Sequence, residues 1–147
     1  KKDIDDASRF VALDHVINKH PEGLKYPVKE RGKNFSSGER QLISFARALV
    51  YKPSFMILDE ATANIDSETE TIIQTSLENM MSISTMMIVA HRLSTIQHAD
   101  TILVLSKGEI IEQGNHQTLL KQKGHYFNLY QLQYENQTME SIPQGGE

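Results

Sequence analysis

Phe55-Met56-Ile57-Leu58-Asp59-Glu60 is an apolar run of four residues closed by two acids. A short, unbroken apolar run fits a strand buried on both faces, as in a parallel sheet. Thr85 to Ala90 repeats the pattern, and His91 follows directly. Between the two runs, Asp66-Ser67 opens a helix: Ser67 and Glu70 have the spacing of a capping box, and Ile73, Leu77 and Met80 form an apolar stripe. Strand, helix and strand in that order predict an α/β fold with parallel buried strands.

Working outward, Leu42, Phe45, Ala46 and Leu49 recur at helical spacing within Glu39 to Val50, and Pro53 blocks continuation. Pro21 to Lys33 is rich in Pro, Gly and charge and reads as loop. Ser8 to Asn18 reads as a short helix with Phe10, Leu13 and Ile17 on one side. Downstream, Thr101–Leu105 and Glu109–Glu112 flank Ser106-Lys107-Gly108 as a hairpin. Short helices are expected around Gln117–Gln122 and Tyr126–Tyr134, and Asn136–Glu147 is polar enough to predict disorder. There is no internal repeat.

The 147 residues suffice for a real core, with 39% hydrophobic and 23% charged residues. A net charge of -4 gives no polyanion-binding signature, which disfavours a nucleic-acid partner. With no cysteine, disulfides and thiolate metal sites are excluded. No apolar run approaches the roughly 20 residues of a membrane span, and no signal peptide is visible.

Ligands of open α/β sheets bind at the carboxyl ends of the strands. Asp59, Glu60 and His91 converge there. An Asp after four apolar residues suits Mg²⁺ that also takes phosphate oxygens and water. A second carboxylate can deprotonate an attacking water, and a histidine can hydrogen-bond a terminal phosphate. The alternative is that the acids merely cap the next segment. Ser36-Ser37-Gly38-Glu39-Arg40-Gln41 opens the second helix, with Ser36 and Glu39 again at capping-box spacing. Small residues there leave a helix start that attracts anions, although an ordinary N-cap has the same appearance.

The ordered set resembles the ATP-binding cassette (ABC) ATPases: this turn, then Ala46-Arg47-Ala48-Leu49, Ile57 to Thr62, Asp66 and His91-Arg92-Leu93-Ser94. The resemblance spans roughly Pro21 to Gln133. Pro21-Glu22-Gly23-Leu24, Glu30-Arg31-Gly32, Ala99-Asp100, Gly108-Glu109-Ile110 and Gly114-Asn115-His116 are similar to the exporter branch. The resemblance implies a partial P-loop NTPase-like core plus the end of a helical subdomain. Residues 1–53 would be the helical part, 54–135 the core, and 136–147 a disordered tail.

It further implies that two such domains sandwich two ATP molecules. Asp59 would organise Mg²⁺, and Glu60 would be the general base. His91 would be the switch on the γ-phosphate, and Asp66 would lie in the loop crossing the dimer. Ser36, Ser37, Gly38 and Glu39 would form the signature motif facing the nucleotide of the other subunit. Transmembrane domains, on the same full-length chain, would be driven from the cytoplasmic face of the membrane. Ser37 and Glu39 depart from the usual Gly and Gln. Such departures resemble exporters that pair two different subunits, one site being hydrolytically weak.

The phosphate loop G-x-x-x-x-G-K-[ST] is absent from the 147 residues: Gly32-Lys33 is followed by Asn34, and Pro27 stands at the first Gly position. The resemblance implies that this loop lies upstream and that the chain alone is inactive. Three further readings compete. One is a non-transport cassette protein acting on nucleic acid or ribosomes, and another is a catalytically silent interaction module. The third is a metallohydrolase built on Asp59, Glu60, Asp66 and His91. The Asn136-Gln137-Thr138 sequon is read as chance.

Overall fold

The computed structural model describes residues 2–59, 65–90 and 92–140, with side chains through Gln133. The chain divides into two compact units, residues 1–89 and 90–147.

The first unit contains helices α1 (Lys2–Phe10), α2 (Asp14–Ile17), α3 (Ser37–Leu49) and α4 (Ser67–Ile83). Its strands are β1 (Phe55–Asp59) and β2 (Thr85–Val89). The single helix expected over Ser8–Asn18 is instead two, starting earlier and broken between Phe10 and Asp14. Ala12 has a φ of 51°, which a right-handed helix cannot absorb. The break turns Val11, Leu13 and Val16 all inward, and all three are buried. The segment read as loop holds two 3₁₀ turns, Gly23–Lys25 and Glu30–Gly32.

β1 and β2 pair in parallel, from Phe55 opposite Thr85 to Asp59 opposite Val89. Parallel neighbours need a long crossover, and α4 supplies it. The predicted α/β arrangement is present. Met56, Leu58, Met86 and Ile88 face the core, where they join Leu42, Phe45, Ala46 and Leu49 of α3 and Ile73, Leu77 and Met80 of α4. The expectation of burial on both faces is corrected. Phe55, Ile57, Met87 and Val89 are exposed, Ile57 at 68%. Successive strand side chains point to opposite faces, and helices among the described residues cover only one of them. An apolar run shows that both faces are apolar, not that both are covered.

Ser76 of α4 is buried, and its hydroxyl lies 2.7 Å from the Ile72 carbonyl and 3.0 Å from that of Val11. The second contact ties α4 to the break after α1, and the buried Ser76 hydroxyl is paired.

The second unit contains α5 (Leu93–Ile96), β3 (Ile102–Ser106), β4 (Glu109–Gly114), α6 (His116–Gln122) and α7 (His125–Glu140). The strands form the predicted antiparallel hairpin. Its two-residue turn places Lys107 and Gly108 at φ of 51° and 84°, the paired positive values that suit a tight hairpin turn. Val104 faces Glu112 while Leu105 faces Ile110, so Ile111 is a bulge. Asn115 caps α6 by accepting from the Thr118 N–H. Glu112 accepts from the N–H groups of His125 and Tyr126 and so caps α7.

Ile102, Val104, Leu119 and Tyr126 form this unit's core. The Tyr126 hydroxyl shares a hydrogen bond of 2.7 Å with His116 Nδ1. α7 runs to Glu140, five residues into the stretch expected to be disordered from Asn136. No Gly or Pro interrupts it before Pro143. Residues 141–147 lie outside the described residues. No described helix is long and apolar enough to cross a membrane.

Candidate functional site

The start of α3 carries the predicted capping box. Ser36 has extended backbone, and its Oγ accepts from the Glu39 N–H at 3.1 Å. Glu39 Oε2 in turn accepts from the Ser36 N–H at 2.9 Å. The other carboxylate oxygen, Oε1, receives Lys19 Nζ at 2.9 Å. Burial pushes the Glu39 carboxyl up. The hydrogen bonds from Lys19 and Ser36 and the Lys19 charge outweigh it and hold the group below its ordinary range. Glu39 is therefore an anion folded back onto the start of its own helix.

The turn is buttressed from below. His20 and Tyr26 stack with ring centroids 3.7 Å apart, and both present edges to the buried Phe35. Arg40 Nη1 donates to the Phe35 carbonyl at 2.7 Å. Gly32, at φ 66°, lies under the Arg40 stem, where a Cβ would come within 3.1 Å of Cδ. Asn34 closes the preceding loop, accepting from the Lys29 N–H and donating to the Pro27 carbonyl, each at 3.0 Å.

Gly38 joins this turn to the start of α4. It is buried, and a Cβ there would overlap Thr69 Cγ2 and sit 3.2 Å from Ile65 Cγ2. Two sites predicted separately, the Ser36–Glu39 turn and Asp66, are thereby neighbours. Asp66 Oδ1 accepts from the Thr69 N–H at 2.9 Å and caps α4. This corrects the expected Ser67–Glu70 capping box: Asp66 is the cap and Ser67 the first helical residue. A carboxylate is a strong acceptor at a helix start, where the dipole favours negative charge. Its bonds to Thr69 hold the Asp66 carboxyl below its ordinary range.

Asp59 ends β1 at the carboxyl edge of the parallel pair and is exposed. Its carboxylate makes no hydrogen bond or ion pair with another described residue. An open carboxylate of this kind fits a hard cation that takes its other ligands from phosphate and water. Glu60 and His91, the predicted base and switch, lie outside the described residues, as do Ala61 to Asn64. The described residues contain no group of three or more acids, histidines or cysteines poised to hold a metal. Sequence reasoning missed Lys19 and Thr69. Neither belongs to a motif, and only the extra charge at Glu39 hinted at a nearby counter-ion.

A parallel pair joined through a crossover helix and ending in an open acid, together with two capped helix starts packed on each other, forms part of an α/β core. Comparison with known proteins narrows the class. The family profile described as ABC transporter matches residues 2–63. The multidrug resistance ABC transporter ATP-binding/permease protein YheH of Bacillus subtilis, so named as probable, is 52% identical over 133 residues. That match takes in 90% of this chain and 20% of YheH. The ATP-dependent lipid A-core flippase of Syntrophus aciditrophicus is 48% identical over 135 residues, 91% of this chain and 22% of the flippase. A bacterial Atm1-family ABC exporter solved with ATP bound superposes with a TM-score of 0.77 at 35% identity, over 99% of this chain and 24% of that one. The chain is thus similar, over about nine-tenths of its length, to ATP-binding/permease proteins and exporters of the ABC transporter family. It spans about a fifth of the length of the curated relatives it matches.

Proposed function

We propose that this chain supplies the later part of an ATP-binding domain. That domain hydrolyses ATP in a sandwich with a second such domain, identical or different, and drives export through transmembrane helices on the same full-length protein. The observation that carries the reading is the packing of Gly38 against Thr69 and Ile65, which sets the signature turn beside the Asp66 loop. Two elements meant to reach across a dimer need a common edge, and this contact supplies one.

Ser36, Ser37, Gly38 and Glu39 face the partner's nucleotide, and Asp66 lies in the loop that crosses the interface. Asp59 holds Mg²⁺, which neutralises phosphate charge when bound. Glu60 takes the proton of the attacking water, and His91 contacts the terminal phosphate. Residues 1–53 belong to the helical subdomain and 54–135 to the ATPase core, at the cytoplasmic face of a membrane. The 147 residues alone, without a phosphate loop, turn over no ATP. In the complete protein, Glu60→Gln should lower ATP turnover by about 10²–10⁴ while ATP binding persists. Turnover that survives this substitution would remove Glu60 as the base.

A further inference from the structure

We infer that Lys19 is a positioning residue for the nucleotide-facing turn: it holds the Glu39 carboxylate against the start of α3 and provides the counter-charge that this turn shares with the Asp66 loop. The inference rests on the proposed role of the Ser36–Glu39 turn.

Glu39 stands where the family usually has a neutral glutamine, so it adds a full negative charge where a phosphate is to approach. An uncompensated carboxylate there would repel the nucleotide. Two features prevent this. Ser36 N–H and Lys19 Nζ each donate to one carboxylate oxygen, both at 2.9 Å, which draws the side chain back onto the turn. The ammonium also makes the pair neutral as a unit. The Glu39 side chain is only 13% exposed while that of Lys19 is 61% exposed. The acid is thus set into the turn and the lysine reaches it from solvent, so Lys19 can be replaced at little cost to the core.

The influence of Lys19 extends to the second helix start. Its ammonium is favoured first by Glu39 and, more weakly, by Asp66 and Glu68 of the α4 cap and first turn, while burial opposes it. Its charge also contributes to keeping Asp66 ionised. The Gly38–Thr69 packing explains this reach, because it brings two acid-bearing helix starts side by side. One lysine thereby serves both elements that face the partner.

The test uses the complete transporter and separates KM from kcat for ATP. Lys19→Met should raise KM about three- to tenfold with kcat within about twofold, the scale of one uncompensated charge near the phosphate. Glu39→Gln in the same molecule should restore KM, because the charge that needed compensation is gone. High salt should shrink the Lys19→Met defect. An unchanged KM in Lys19→Met, or a double variant as impaired as the single one, overturns the inference. Ser36→Ala tests the underlying reading. If it alters neither KM nor kcat, the turn does not serve a nucleotide and the inference falls with it. If it is impaired while Lys19→Met is not, only the role of Lys19 falls.

Discussion

The start of α3 and the end of β1 lie in the same compact unit, yet their polar groups are handled in opposite ways. At Ser36–Glu39 the polar groups described here are engaged within the chain: the capping box closes on itself, Lys19 closes on Glu39, and Gly38 is filled by Thr69. At Asp59 the carboxylate is exposed and bonded to no other described residue. The first region is finished by local chemistry and presents a shaped surface. The second is left open, and its chemistry is completed by what binds there. Substitutions in the first should therefore register in stability as well as activity, and those in the second almost entirely in activity.

The sharpest way to break this contrast is Asp59→Ala in the complete protein. ATP turnover should fall by at least about a hundredfold, since metal-assisted charge stabilisation is worth several kcal/mol. The melting temperature should barely move, because no hydrogen bond or ion pair with another described residue is lost. A large drop in melting temperature would show that Asp59 is structural. Gly38→Ala should do the reverse and destabilise by about 1–3 kcal/mol through overpacking, read from chemical denaturation. Thr69→Ala in the same molecule should recover part of that loss by removing Cγ2. If Gly38→Ala leaves stability unchanged, backbone approach to a ligand, not packing, explains the glycine.

The smallest effect concerns pH. The folded-state carboxyl of Glu39 sits below its ordinary value of 4.5, so it contributes stability above that value and loses it as pH falls through the depressed one. Melting temperature should therefore drop more steeply below about pH 4.5 in the parent than in Glu39→Gln. Parallel curves would mean that the Lys19–Glu39 pair contributes nothing measurable to folding, as with many exposed ion pairs.

The parts legible in sequence were those written within a few residues. Ser36 and Glu39 announced their reciprocal cap, the run to Asp59 announced a parallel strand, and Ser106-Lys107-Gly108 announced a hairpin, whose turn proper is Lys107-Gly108. What escaped depended on distance. Lys19 meets Glu39 across twenty positions, and Thr69 meets Gly38 across thirty-one, with no periodicity to signal either. The Ser67–Glu70 spacing was a true pattern outcompeted by a better acceptor one residue earlier, Asp66. The kink at Ala12 was hidden because alanine is a good helix former, and only packing of Val11, Leu13 and Val16 requires the left-handed turn. The polar tail from Asn136 suggested disorder, but a stretch without Gly or Pro continued as helix to Glu140.

The uncovered face of the parallel pair has a practical consequence. Phe55, Ile57, Met87 and Val89 form an oily stripe that water cannot satisfy. A cell's quality-control machinery reads such stripes as signs of unfinished folding, and chaperones and proteases compete for them. Made by itself, this chain would enter that competition, and its abundance would then depend on how quickly the stripe is hidden as well as on the stability of the helices beneath it.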